Sequence, residues 1–197
     1  MEKDWQAGRI GSRECMTRQV ALLKASQADV LDALCELCID RGFVTFVGAC
    51  QRSGIGVSIV SDGFDYVIKR VLSSAGLDIP FYANHLEPRG ADGWRVTFPH
   101  ARSDCRTLAG NCKCSFTGPH SSSVKVVIGD GRSDFCISGN ADLIFAKGTL
   151  LDLCRASGTP HFAFGDFFDV TEKLGRWLQS GQDVEAAETL AVGGPGN

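Results

Sequence analysis

The stretch Val124-Lys125-Val126-Val127-Ile128-Gly129-Asp130-Gly131-Arg132-Ser133-Asp134 passes from a β-branched run into a Gly-Asp-Gly turn, with a second aspartate four residues on. A short apolar run bounded by turn residues predicts a strand buried on both faces, followed by a tight turn into a helix. The pattern recurs. Residues 57–60 precede Ser61-Asp62-Gly63 and then Phe64, Val67, Ile68, Val71 and Leu72 at helical spacing, closed by Gly76. Residues 143–146 precede Thr149, Leu150, Leu151 and Cys154 in the same way, and a fourth strand over 161–164 leads to a helix bearing Val170, Leu174, Trp177 and Leu178. Asp169 and Glu172 there have capping-box spacing. Apolar strands alternating with amphipathic helices predict an α/β fold, a Rossmann-like parallel sheet with helices on both faces. Ligands of such sheets bind beyond the carboxyl ends of the strands.

Outward from these units, residues 79–83 and 95–98 flank a loop with Gly90 and Gly93, which predicts an antiparallel β-hairpin beside the parallel sheet. The first fifty residues read as helices. Met16, Val20 and Leu23 form a stripe opened by Ser12 as N-cap; Ser26 and Asp29 form a capping box ahead of Val30, Leu31, Leu34, Leu37 and Cys38; Phe43, Phe46, Val47 and Cys50 form a third stripe ending near Gly54. The tail over 183–197 ends Gly-Gly-Pro-Gly-Asn and is expected to fray.

With 197 residues, 44% of them hydrophobic, the chain has material for one core or a core with a small appendage. A net charge of −3 gives no footprint for nucleic acid, and the longest run without a charged residue, 114–124, is too short to span a membrane. Nine cysteines with no export signal in the sequence as given predict reduced thiols in a cytoplasmic protein. The oligomeric state is not legible.

Beyond the strand ends, Ser61, Asp62 and Gly63 can offer a hydroxyl and turn amides to a phosphate oxygen. Asp130 and Asp134, in a glycine-containing turn, are oxygen ligands of the kind that suits Mg2+. A calcium loop of the EF-hand kind is excluded, because the twelfth position counted from Asp130 is Ala141. Lys113, between Cys112 and Cys114, can hold its stem by two small buried neighbours and direct its ammonium to a phosphate. His85, His100, His120 and His161 show no ligand spacing.

On these residues the sequence resembles the haloacid dehalogenase superfamily of phosphatases, in the subclass with a helical cap early in the chain, and within it the phosphatases of methionine salvage. The matching stretches are 5–15 (WQAGRIGSREC), 60–66 (VSDGFDY), 112–114 (CKC) and 128–134 (IGDGRSD). The last is shared with phosphoserine phosphatases, and an enzyme of that type is the alternative reading. The resemblance implies a Mg2+-dependent phosphomonoesterase acting on a small phosphorylated metabolite. It implies that Ser61 hydrogen-bonds the phosphoryl group, that Lys113 neutralises it, that Asp130 binds Mg2+ and that Asp134 supports the metal directly or through water. Residues 1–42 are then the remnant of the cap, with Arg9, Arg13, Glu14 and Arg18 as candidates for substrate selection; 43–182 are the core and 183–197 a flexible tail.

The family's first motif, Asp-x-Asp-x-Thr, supplies the nucleophile and the general acid. No two aspartates of this chain stand two apart, and Asp4 is followed by Gln6. A strand-turn-helix piece of about 30 residues is therefore expected to be missing at the amino end. The sheet is expected to carry an unpaired gap or a closed-up rearrangement, and the chain to turn nothing over. Other classes remain: a non-catalytic phosphate- or partner-binding protein, or a zinc module built on Cys35 and Cys38 with Cys105, Cys112 and Cys114. Against zinc, the apolar stripe that claims Cys38 favours core packing.

Overall fold

The structure, a computed structural model, describes residues 1–116 and 124–181. In chain order its elements are α1 (Glu2–Gln6), α2 (Ser12–Leu22), α3 (Gln27–Cys35), α4 (Arg41–Arg52), β1 (Ile59–Phe64), α5 (Asp65–Ser74), β2 (Phe81–Arg89), β3 (Gly93–Thr97), a 3-10 turn (Lys113–Phe116), β4 (Val126–Gly129), α6 (Arg132–Ser138), β5 (Leu143–Ala146), α7 (Gly148–Ser157), β6 (Phe162–Ala163) and α8 (Phe167–Gln179). They group into two compact units, residues 1–39 with 56–115 and residues 40–55 with the chain from 116 onward. That grouping cuts the chain at other places than the boundaries at 42 and 182. The tail over 183–197 and His120 lie outside the described residues.

The first unit holds a three-stranded sheet in the order β1-β2-β3, with β1 parallel to β2 and β2 antiparallel to β3. The hairpin expected beside the parallel strands is therefore continuous with one of them. Its core gathers Val20 of α2, Leu86 of β2 and Trp94 of β3, with Val30, Phe64 and Tyr66 packed around them. Trp94 meets Tyr66 edge-on at 5.3 Å, and its indole N–H donates to the Ala25 carbonyl at 2.9 Å, so the ring is buried without stranding its polar atom.

The second unit holds the order β4-β5-β6, all parallel, in register from Val126↔Leu143 through Gly129↔Ala146. Every residue of β5 is buried, as a wholly apolar parallel strand requires. Phe145 stacks on Phe162 with centroids 5.3 Å apart, while Ile144, Ala146, Leu150 and Cys154 form a core cluster. Helix α4 packs on α8, where Phe43 and Phe46 both meet Phe167, and Gly42 leaves the room: a Cβ there would lie 3.1 Å from the Phe167 Cβ. Among the described residues the strands thus form two three-stranded sheets, and β1 and β4 are each paired on one side only.

Several boundaries differ from the sequence expectation. Ser61, Asp62 and Gly63 are not a turn after a strand but the body of β1, and the helix starts directly at Asp65. Gly11, not Ser12, is the N-cap of α2; Ser12 is buried and its hydroxyl accepts from the Gly110 N–H at 3.1 Å. Asp166 caps α8 by accepting from the Asp169 N–H at 2.9 Å, so Asp169 and Glu172 lie inside the helix. The Ser26–Asp29 capping box forms as expected, but α3 ends at Cys35, no residue of α3 is buried, and Cys35 and Cys38 are both exposed. Core packing does not claim them, because the stripe runs one turn beyond the helix that carries it. No described helix is long and apolar enough to cross a membrane.

Phe145 is fully buried between its neighbours in β4–β6. Phe145→Ala is expected to destabilise the protein by about 3–5 kcal/mol, the usual range for emptying such a site, and a lowered urea midpoint checks it.

Candidate functional site

Four of the six candidate residues lie in the first unit, where one network joins Ser61, Asp62 and Gly63 and reaches the loop that carries Lys113. The β1–β2 ladder runs at Ile59↔Phe81 and Val60↔Tyr82, then slips and resumes at Phe64↔Asn84. Carbonyls in the slipped segment need other donors, since a buried unpaired C=O is costly. Two asparagines supply them. Asn84 Nδ2 donates to the Asp62 carbonyl at 2.9 Å and to Asp62 Oδ1 at 3.3 Å. Asn111 Nδ2 donates to the Ser61 carbonyl at 2.9 Å and to the Tyr82 carbonyl at 2.8 Å, while the Asn111 N–H donates to Asp62 Oδ1 at 2.9 Å. Both asparagines are 0% exposed. Gly110 is what lets the loop pass so close, for a Cβ there would lie 2.8 Å from Asn84 Oδ1.

Within this frame Ser61 is half-buried and its Oγ accepts from the Gly63 N–H at 3.0 Å, which leaves its own O–H to be donated. The Asp62 carboxylate binds the chain's own amides. Lys113 is half-buried and opens the 3-10 turn two residues after Asn111. Its neighbours behave as the sequence suggested: Cys112 is buried in a cluster with Cys105 and Ala109, and Cys114 packs against it. Burial pushes the Cys112 thiol up to about 11, helped by its hydrogen bond with Cys105. Burial also opposes ionisation of Cys105, but hydrogen bonds from the Thr107 hydroxyl and nearby amides outweigh it and bring that thiol below its ordinary value.

The second unit holds Asp130 and Asp134. Asp134 is buried, and its Oδ2 accepts from the Gly131 N–H at 3.0 Å and the Asp130 N–H at 3.3 Å. This is the returning half of a capping box, from the third helical residue to the N-cap. Gly129 makes it possible: a Cβ there would lie 2.6 Å from Asp134 Cγ. The Asp130 carbonyl accepts from the Leu150 N–H at 3.2 Å and the Gly129 carbonyl from the Lys147 N–H at 3.1 Å. The backbone is thus held from two helices. The Asp130 side chain is exposed, with no hydrogen bond or ion pair among the described residues. A hard exposed carboxylate on a fixed turn fits a Mg2+ ligand, whereas the Asp134 oxygen bound to two amides fits a support of the turn.

No group of three or more His, Cys, Asp or Glu side chains is placed to hold a metal among the described residues.

Sequence reasoning passed over three residues. Asn84 and Asn111 carry no periodicity or motif signal of their own. His85, half-exposed on β2, lies 2.6 Å from Asp65 Oδ2, while Asp65 Oδ1 accepts from the Leu86 N–H at 2.9 Å. The Asp65 hydrogen bond holds the imidazole above its ordinary value. The signal was available only in space, since the pair is twenty residues apart in sequence.

The haloacid dehalogenase-like hydrolase family model matches residues 2–138. A 2-hydroxy-3-keto-5-methylthiopentenyl-1-phosphate phosphatase of Geobacillus kaustophilus is 31% identical over 181 residues, covering 89% of this chain and 82% of the relative. A phosphatase of the same name from an Exiguobacterium species is 30% identical over 167 residues, covering 82% and 77%. Among solved structures, a phospho-aspartyl intermediate analogue of phosphoserine phosphatase is similar with a TM-score of 0.65 at 20% identity, over 89% of this chain and 82% of that one. The phosphoserine phosphatase of T. onnurineus is similar with a TM-score of 0.61 at 16% identity, over 86% and 76%. At those identities the structural likeness concerns the fold.

Gly129→Ala is expected to displace the Asp134 side chain and lower stability by about 1–3 kcal/mol, read from the urea midpoint. For His85, the raised native value means its pairing contributes fully below the ordinary 6.5 and is lost as pH rises through the native value. An NMR titration is expected to place His85 above 6.5, and Asp65→Asn to bring it back down.

Proposed function

The chain belongs to the haloacid dehalogenase-like hydrolases, and from that membership we propose that it carries the phosphate- and metal-binding residues of a Mg2+-dependent phosphomonoesterase. The substrate we assign is the enol phosphate named for its curated relatives. The observation that carries this reading is the Asn111 bridge, which ties the loop ending at Lys113 to the strand of Ser61.

In this reading the Ser61 hydroxyl donates to a phosphoryl oxygen and the Lys113 ammonium neutralises the group's charge. Phosphoryl transfer depends chiefly on positioning and charge neutralisation, so these two contributions are the ones needed. Asp130 is the metal ligand and Asp134 fixes its turn. Mg2+, when bound at Asp130, would supply the positive charge that phosphoryl transfer draws on. Substrate selection falls to residues 1–42. Arg9 pairs with Asp4 and Arg18 with Glu14, so of the three arginine candidates Arg13, half-buried and without an ionic partner among the described residues, is the one we assign to the substrate.

Covalent phosphoryl transfer also needs a carboxylate nucleophile and a second carboxylic acid to protonate the leaving oxygen. With no aspartates two apart, these 197 residues offer no such pair, and we assign them binding without turnover.

The test has two arms. Titration of the 197-residue chain with Mg2+ and inorganic phosphate is expected to show weak binding, with the Mg2+ component lost in Asp130→Ala; unchanged Mg2+ affinity would overturn the metal assignment. Preceded by a strand bearing Asp-x-Asp-x-Thr, the chain is expected to hydrolyse the enol phosphate rather than phosphoserine, with the preference relaxed by Arg13→Ala. Metal-dependent turnover by the 197-residue chain alone at the rate of the extended one would show that the catalytic groups are misassigned.

A further inference from the structure

From a single loop position Asn111 bonds to three residues of the first sheet. Its two amide hydrogens go to carbonyls on different strands, Ser61 of β1 and Tyr82 of β2, and its main-chain N–H goes to Asp62 Oδ1. Its own Oδ1, like that of Asn84, is buried with no hydrogen-bond partner among the described residues. Leaving a buried acceptor unmatched is a cost, and proteins keep such local violations where geometry matters more than stability.

What the geometry fixes is the separation of two particular groups. Ser61 is held by its own carbonyl to Asn111, and Lys113 begins a 3-10 turn two residues further on. That turn is pinned in its own right: the Cys112 N–H donates to the His100 carbonyl at 3.1 Å, and the Ser115 N–H to the Cys112 carbonyl at 3.2 Å. Between Asn111 and Lys113 lies only Cys112, whose N–H and C=O are both hydrogen-bonded.

We propose that Asn111 is a positioning residue of the phosphate site, setting the Lys113 turn at a fixed distance from the Ser61 hydroxyl through the Ser61, Tyr82 and Asp62 bonds. This rests on Ser61 and Lys113 being the phosphate-binding groups. Replacing the amide by a carboxylate keeps the shape and reverses the chemistry, since two carbonyls then face an acceptor. A shorter side chain removes the bridge altogether.

The experiment is a 31P NMR titration of the 197-residue chain with inorganic phosphate, comparing wild type, Asn111→Ala, Lys113→Met and the double variant. Near-UV circular dichroism checks that each is folded. Asn111→Ala is expected to weaken phosphate by about tenfold, the size of one charge-assisted hydrogen bond. The decisive readout is the cycle: the double variant is expected to be no weaker than Lys113→Met, because a misplaced lysine has already lost its contact. Additive losses, or an Asn111→Ala affinity within about twofold of wild type, an effect below typical coupling, would overturn the proposal. Should Asn111→Ala fail to fold, Asn111→Ser keeps one donor, and the same non-additivity with Lys113→Met is required of it. If Lys113→Met and Ser61→Ala both leave phosphate binding unchanged, the assignment of the site itself fails, an outcome distinct from failure of Asn111 alone.

Discussion

Two buried primary amides stand in for the missing rungs of the ladder between β1 and β2, and the first unit is organised around that substitution. Where the strands slip between Val60 and Phe64, the Ser61 and Asp62 carbonyls are met by the side-chain amides of Asn111 and Asn84. Asparagine is suited to this because its NH2 group offers two donors from one short, stiff side chain. The Asp62 carboxylate then closes the network by accepting from both asparagines, and hydrogen bonds to a charged acceptor are the stronger kind. Gly110 follows as a steric necessity beside Asn84, and Ser12 holds the Gly110 N–H, so α2 is bound into the same arrangement.

The second unit reaches a comparable end with a different device. There the carboxylate of Asp134 folds back over Gly129 to the amides of its own first turn, and the α7 N-terminal segment holds the carbonyls of Gly129 and Asp130. Most polar atoms of the turn are consumed by the backbone, while the Asp130 side chain stays in solvent. A functional side chain on a turn this thoroughly bonded needs little rearrangement to receive a ligand. The same economy appears at Lys113, where Cys112 and Cys114 fill space as small apolar side chains beside Cys105 and Ala109.

Much of this was legible in advance, for identifiable reasons. Residues 143–146 match β5, since a strand buried on both faces leaves an unbroken apolar run. The α4 stripe of Phe43, Phe46, Val47 and Cys50 reflects a real packing face, three of whose members are buried. The family resemblance was visible in the glycine, aspartate and serine of β1 and of the turn after β4. The misreadings share a cause as well. Ser61-Asp62-Gly63 has turn composition yet lies in a strand, because distant side chains satisfy the backbone groups that composition alone would leave to water. The α3 stripe continued through Cys38 on paper, but no residue of that helix is buried, so nothing prolonged it past Cys35.

The sequence by itself determined the α/β class, most of the element order, the two Asp-Gly motifs and the absence of an Asp-x-Asp pair, because each is written in neighbouring residues or in the period of the apolar pattern. The tertiary structure decided that the first motif lies inside β1 and the second in a turn, and which residues hold each. Asn111 is joined to Ser61 across fifty positions and Asn84 to Asp62 across twenty-two. A hydrogen bond between residues so far apart leaves no trace in local composition, since its donor and acceptor meet only after the strands have paired.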